Sequence, residues 1–216
     1  MSDESSLELK VVDGLRLDED VRSALRPGAL IEDRQGRARR LPRYFYEVPS
    51  WQFACEFRLS PNFSLWEFLN VDLRENEQMR QFPRYAPCAV TSLAAHLELF
   101  RGAVGTPVHI AANGGYRTPS HEFSGYASPH LWGTAVNIYR IGDQMLDEKD
   151  QIGKFGSLAR DILPGVCARP YGRGPLESDD HLHLDIGFVN VVPHDAPGEG
   201  GEQAAEALAG AGEEAK

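Results

Sequence analysis

From His181 to Ile186 the chain alternates polar and apolar residues, His-Leu-His-Leu-Asp-Ile. A period of two suits a strand with one dry face and one polar face. Leu182, Leu184 and Ile186 then belong to a core, while His181, His183 and Asp185 line one polar cleft. A second element, Ser128-Pro129-His130-Leu131-Trp132-Gly133-Thr134-Ala135-Val136-Asn137, places a side-chain oxygen seven residues after a histidine. The small residues Gly133 and Ala135 between them let backbone pack closely. Asp180 stands three residues before His183. Two imidazoles, one oxygen ligand and one potential general base are the kit of a catalytic zinc centre that leaves its fourth position to water.

The sequence around these elements predicts an α+β fold with a small, mostly antiparallel sheet and covering helices. Ser64-Leu65-Trp66-Glu67 has the form of a capping box and opens a short helix, with Phe63 as its staple residue. Val90, Leu93, Leu97 and Phe100 recur at helical spacing within residues 88 to 102. Val108 to Ala112 reads as a buried strand ended by the turn signal Asn113-Gly114-Gly115, which delivers Tyr116 and Arg117 to a strand end. Thr134 to Tyr139 is a strand carrying Asn137, and residues 144 to 162 form a helix with Ile152, Phe155, Leu158 and Ile162 as its apolar stripe. Val166 to Ala168 and Leu182 to Phe188 complete the set of strands. His121 is read as a surface residue, His96 as surface or core, and His109 as free to point either way.

These motifs resemble those of the zinc D-alanyl-D-alanine carboxypeptidase family, which shares its fold with the hedgehog signalling domain. The family pattern is Gly-Tyr-Arg-(Ser/Thr)-Pro, then Ser-x-His-x-x-Gly-x-Ala-x-Asp, then an acidic residue three positions before a final His. The chain offers Gly115-Tyr116-Arg117-Thr118-Pro119, the element Ser128 to Asn137, and Asp180 to His183, in that order. The resemblance spans residues 60 to 190. It implies His130 and His183 as zinc ligands, with Asn137 where the family has a zinc-binding aspartate. It further implies Asp180 as the base, Arg117 as partner of a substrate carboxylate or scissile carbonyl, His181 as an outer-sphere or transition-state donor, and Asp185 as an orienting carboxylate. The implied reaction is zinc-dependent hydrolysis of D,D- or L,D-type bonds in peptidoglycan stem peptides or cross-links. A neutral carboxamide compensates a dication less well than a carboxylate, which leaves the alternative of a metal-poor binding module using the same cleft for a peptide or cell-wall ligand. Asp143 or Asp147 is a further candidate for the missing carboxylate.

Three segments are expected: a charged arm over residues 1–43, a peptidase-like domain over 44–192, and an acidic Gly/Ala/Glu-rich tail over 193–216, expected to be disordered. The arm holds Arg34, Arg37, Arg39, Arg40 and Arg43, either a solvated face or a contact for an anionic partner such as a wall polymer. After it comes a run of aromatics from Tyr44 to Phe68, which packs a core or lines a groove. The net charge of −10 argues against a nucleic-acid partner. Half of that surplus sits in the last segment, where six acidic side chains face one lysine. No apolar run is long enough to span a bilayer, and the polar Met-Ser-Asp-Glu-Ser-Ser start is unlike a signal peptide. The expectation is a chain cytoplasmic at synthesis, reaching a wall substrate only by a non-standard route. Cys55, Cys88 and Cys167 carry no pairing signature and read as buried thiols.

Overall fold

The computed structural model describes residues 7–198. In chain order the strands are β1 (Lys10–Asp13), β2 (Leu30–Glu32), β3 (Ala38–Arg40), β4 (Tyr44–Val48), β5 (Arg58–Ser60), β6 (Phe63–Ser64), β7 (Arg84–Pro87), β8 (Val108–Ile110), β9 (Ala135–Ile141), β10 (Gln144–Met145), β11 (Cys167–Ala168) and β12 (Leu182–Asp185). The α-helices are α1 (Glu19–Leu25), α2 (Trp51–Glu56), α3 (Leu65–Leu69), α4 (Glu77–Arg80), α5 (Val90–Val104) and α6 (Lys149–Ile162). All the strand pairs in sheets are antiparallel, so the architecture is the expected α+β with small antiparallel sheets.

The sheet that matters for the site has five strands, ordered β10-β9-β12-β11, with β8 also paired to β9. Val136 and Ile138 of β9 and Leu182 and Leu184 of β12 point into the main core. They meet the buried stripe of α5 (Val90, Leu93, Ala94, Leu97, Phe100) and that of α6 (Ile152, Phe155, Ala159). Strand alternation sends Ala135, Asn137, His183 and Asp185 to the opposite face. The register fixes their neighbours: His183 pairs with Asn137 and Asp185 with Ala135.

Several boundaries differ from expectation for local reasons. Gly142 turns the chain at φ +57°, so Gln144 and Met145 fold back on Ile141 and Arg140 as a hairpin, and α6 begins only at Lys149. The Ser64–Glu67 cap is present, with the Ser64 amide donating to Glu67 Oε1 at 2.8 Å, and Phe63 is buried beside it. Of the aromatic run, Phe45, Phe63 and Phe68 are core residues, while Trp51 is exposed. The thiols do not share one environment: Cys88 is buried, Cys55 half-buried and Cys167 exposed. Burial pushes the Cys88 thiol up to about 12.

Residues 10–43 are not a solvated arm. β1 pairs with β4, Leu25 packs on Phe45, and Leu41 joins Leu131 and Trp132 in a small core of their own. The arginine cluster is largely used internally. Arg37 and Arg39 donate to Asp33, Arg43 to Asp13, and Arg40 to the Gly28 carbonyl. This segment also grips the first motif, since the Ala127 amide donates to the Glu32 carbonyl and the Trp132 indole to the Arg40 carbonyl. The tail expected to be disordered lies outside the described residues from 199 onward.

Gly115 shows how tightly the motif loop is seated. A Cβ there would run into the Phe68 carbonyl, backbone that has no freedom to yield. Gly115→Ala is therefore expected to destabilise the protein by about 1–3 kcal/mol, the usual cost of overpacking. Urea unfolding checks this; an unchanged midpoint would mean that the loop is not held there.

Candidate functional site

His130 sits on a short 3-10 helix, Pro129–Trp132. Pro129 opens the helix with its fixed φ, and Gly133 ends it at φ +67°. The turn directs the imidazole inward, where it is 1% exposed, and His130 Nδ1–H donates to the Gly115 carbonyl at 2.8 Å. That bond fixes the tautomer and leaves the Nε2 lone pair without a proton. His183 is fully buried (0% exposed) on β12, its ring centroid 5.1 Å from that of His130.

The surroundings of His183 are the most telling geometry in the molecule. Its Nε2 lies 3.0 Å from Asp185 Oδ2, and its Nδ1 lies 2.9 Å from Asn137 Oδ1. Two oxygen acceptors thus flank a ring that, when neutral, has one proton to donate. A second proton is opposed by burial, which carries the His183 pKa down to about 4 against the pull of Asp185. Asp185 is the stronger acceptor and takes the Nε2 proton, while its other oxygen accepts the Gly187 amide at 2.9 Å. The Nδ1 lone pair then faces the Asn137 carboxamide.

Cross-strand geometry explains why these groups converge. The Asn137 amide donates to Gly114, the Ala111 amide to Asn137, and the Arg169 amide to His183, so both residues direct backbone bonds away from each other. That is the non-hydrogen-bonded type of antiparallel pair, whose side chains approach most closely.

The remaining residues occupy the rim. The Arg117 amide donates to the His130 carbonyl at 3.3 Å, while its Nε is buried without a hydrogen-bond partner. Burial carries the Arg117 pKa down to about 10, with repulsion from Arg169 adding and Glu75 opposing. His181 Nδ1 is bonded to Asp180, whose side chain is 79% exposed to solvent. Burial lowers the His181 pKa and the Asp180 bond raises it, with burial dominant. Burial likewise holds His130 well below its ordinary value, helped by the charge of Arg117 and by His183. Asp143 and Asp147 are exposed around the β10 hairpin, past the end of β9.

The structure thus brings His130, Asn137, His183, Arg117 and Asp185 together, with His181 nearer the surface on the exposed Asp180. His121 is not a surface residue: it is buried, its Nε2 against Asn113 Oδ1 and its Nδ1 accepting the Phe123 amide, and so braces the motif loop. Arg169 escaped sequence reasoning. It follows a two-residue strand without any motif, and only its position beside His183 reveals it. Comparison with family models, with curated proteins and with solved structures finds no match for the chain.

The donor set suits a zinc ion in chemistry. His130 Nε2 and His183 Nδ1 are two lone pairs whose rings are fixed by partners on their other nitrogens, the usual support of metal-binding imidazoles. Asn137 Oδ1 is a third donor beside them, an oxygen, and the described residues hold no group of three His, Cys, Asp or Glu suited to a metal.

The buried, neutral histidines make stability depend on pH. A native pKa of about 4 for His183, below the ordinary value of 6.5, means that its contribution is complete above pH 6.5 and is lost as pH falls through 4. On the order of 3 kcal/mol should disappear from the metal-free protein between those values, and His130 acts in the same direction. Urea titrations of chelator-treated protein at pH 7, 5.5 and 4 measure it; a flat profile would show that the rings are not held neutral.

Proposed function

We propose that the cleft is a zinc peptidase site acting on peptidoglycan stem peptides or cross-links, carried on a fold of the hedgehog and DD-peptidase kind. The observation that supports it most is the ring of His183 held between Asp185 and Asn137. A buried imidazole with a carboxylate on one nitrogen and an oxygen donor beside the other satisfies both contacts when a cation joins Nδ1 and Oδ1. The order and spacing of the three sequence motifs support the same reading.

His130, Asn137 and His183 would hold the ion. When bound, zinc supplies Lewis acidity that polarises a peptide carbonyl and acidifies water. Asp180, exposed to solvent, accepts a proton from the attacking water and later returns it to the leaving amine. His181 uses its single proton in the bond to Asp180 and so orients the base rather than donating to the oxyanion. Arg117 offers a guanidinium with an unpartnered Nε–H to the developing oxyanion.

A second reading, a binding module with impaired catalysis, is favoured by the neutral third donor. Zinc analysis separates the two. About one zinc per chain after dialysis is expected, and Asn137→Asp should bind it more tightly. Asp185→Ala should weaken it roughly 10- to 100-fold. Asp180→Ala should keep the metal and lose turnover of wall fragments by about 10²–10⁴-fold. A native protein without zinc, activated by Asn137→Asp, would replace the peptidase reading with the binding module.

A further inference from the structure

The polar face of β9 does not end at Asn137. Ile138 and Ile141 are both core residues although they stand three positions apart, and the pairing of β8 with β9 slips by one residue between His109 and Ile110. The extra residue of this bulge turns both Tyr139 and Arg140 to the face opposite the core. His109 of β8 joins them there, its ring centroid 6.1 Å from that of Tyr139 and its Nε2 accepting a bond from Arg140 at 3.3 Å. Tyr139 lies two residues beyond Asn137, about 7 Å along the strand. Together with His109, Ala112 and, from α3 and its end, Trp66, Glu67 and Asn70, it lines a cavity of about 410 Å³.

The polar groups of this wall are left open by the protein. Glu67 gives one oxygen to the Ser64 amide at 2.8 Å. The Asn70 carboxamide makes no hydrogen bond with a described residue, while the Asn70 carbonyl accepts the Asn113 amide and closes that end of the cavity. The N–H and C=O of Ala112 bond to no described residue either, in a turn between the bonded Ala111 and Gly114. Because Arg140 donates to His109 Nε2, the ring proton sits on Nδ1, where no described residue accepts it. Burial, and then the charge of Arg140, hold the His109 pKa below its ordinary value, so this ring is a neutral donor. Trp66 and Tyr139 add aromatic surface, and it runs on from Trp66 to the exposed Trp51, 6.1 Å away, and from there to Phe82 at 6.2 Å.

We propose that this cavity is a saccharide subsite that seats one uncharged pyranose bearing an acetamido group. Aromatic rings cover the apolar C–H face of such a ring, while its edge presents hydroxyls that each call for a donor or an acceptor. Carboxamide, carboxylate, imidazole N–H and a free peptide group supply both kinds. An acetamido group carries one N–H and one C=O, the complement of the open Ala112 peptide. The volume lies in the usual range of small-ligand pockets, about 300–1,000 Å³. Glu67 is the one acid on the wall and no lysine or arginine lines it, which disfavours an anionic ligand. The subsite goes beyond the peptidase reading, since holding a sugar needs neither zinc nor turnover.

The test titrates the full chain, treated with chelator, calorimetrically with N,N′-diacetylchitobiose and with cellobiose, which has hydroxyls in place of the acetamido groups. Saturable binding of diacetylchitobiose, at least tenfold tighter than that of cellobiose, is expected. Trp66→Ala should weaken it at least tenfold. Asn70→Ala removes a side chain without protein partners, so it should leave the thermal midpoint unchanged and weaken binding severalfold; it serves if the tryptophan variant does not fold. Binding of neither sugar, equal binding of both, or undiminished affinity in either folded variant would overturn the proposal. Tighter binding of N-acetylphenylalaninamide than of diacetylchitobiose would reassign the cavity to an aromatic peptide side chain and overturn it as well. Zinc content, measured on the same samples before chelation, decides the metal reading independently of these results.

Discussion

The site depends on one cross-strand pair, Asn137 opposite His183. Because the backbone groups of both residues bond outward, to Ala111 and Gly114 on one side and to Arg169 on the other, the two side chains are pressed together at 2.9 Å. The same outward bonds recruit the neighbouring segments. Gly114 brings Gly115, whose carbonyl fixes His130, and Arg169 is carried to the cleft by its bond to His183. A one-residue slip of β12 on β9 would send His183 into the core and Leu184 into the cleft. The apolar packing of Leu182 and Leu184 on α6 therefore specifies the chemistry of the opposite face as well as the core.

The N-terminal segment has a part in this. Its basic residues suggested an exposed surface, yet Asp33 and Asp13 neutralise three of the arginines, and its backbone accepts the Trp132 indole and the Ala127 amide. Trp132 packs at 4.9 Å from Phe188, whose face is also covered by Arg39. The helix bearing His130 is thus braced by residues about ninety positions earlier. Charge composition says how many ions a segment holds, and only tertiary structure says whether they face water or each other.

Much of the site was legible because strand alternation and motif spacing are local properties. The face shared by His183 and Asp185, the cap at Ser64 and the stripe of α5 all follow from residue order. Three things were not. His121 is buried because Asn113 supplies an acceptor, a partner eight residues away in a loop without periodicity. The start of α6 was displaced by a hairpin that only a positive φ at Gly142 permits. Arg169 has no pattern at all, and its importance arises from β11 lying beside β12.

Asn137 ties the electrostatics of the cleft together. A carboxylate at that position would lie within the field of Arg117 and Arg169 and would offset the positive charge they leave behind. With a carboxamide the position carries no charge, and burial keeps both neighbouring histidines neutral. In a low-dielectric interior a difference of one unit of charge at that position is felt by every ionised group around the histidine pair.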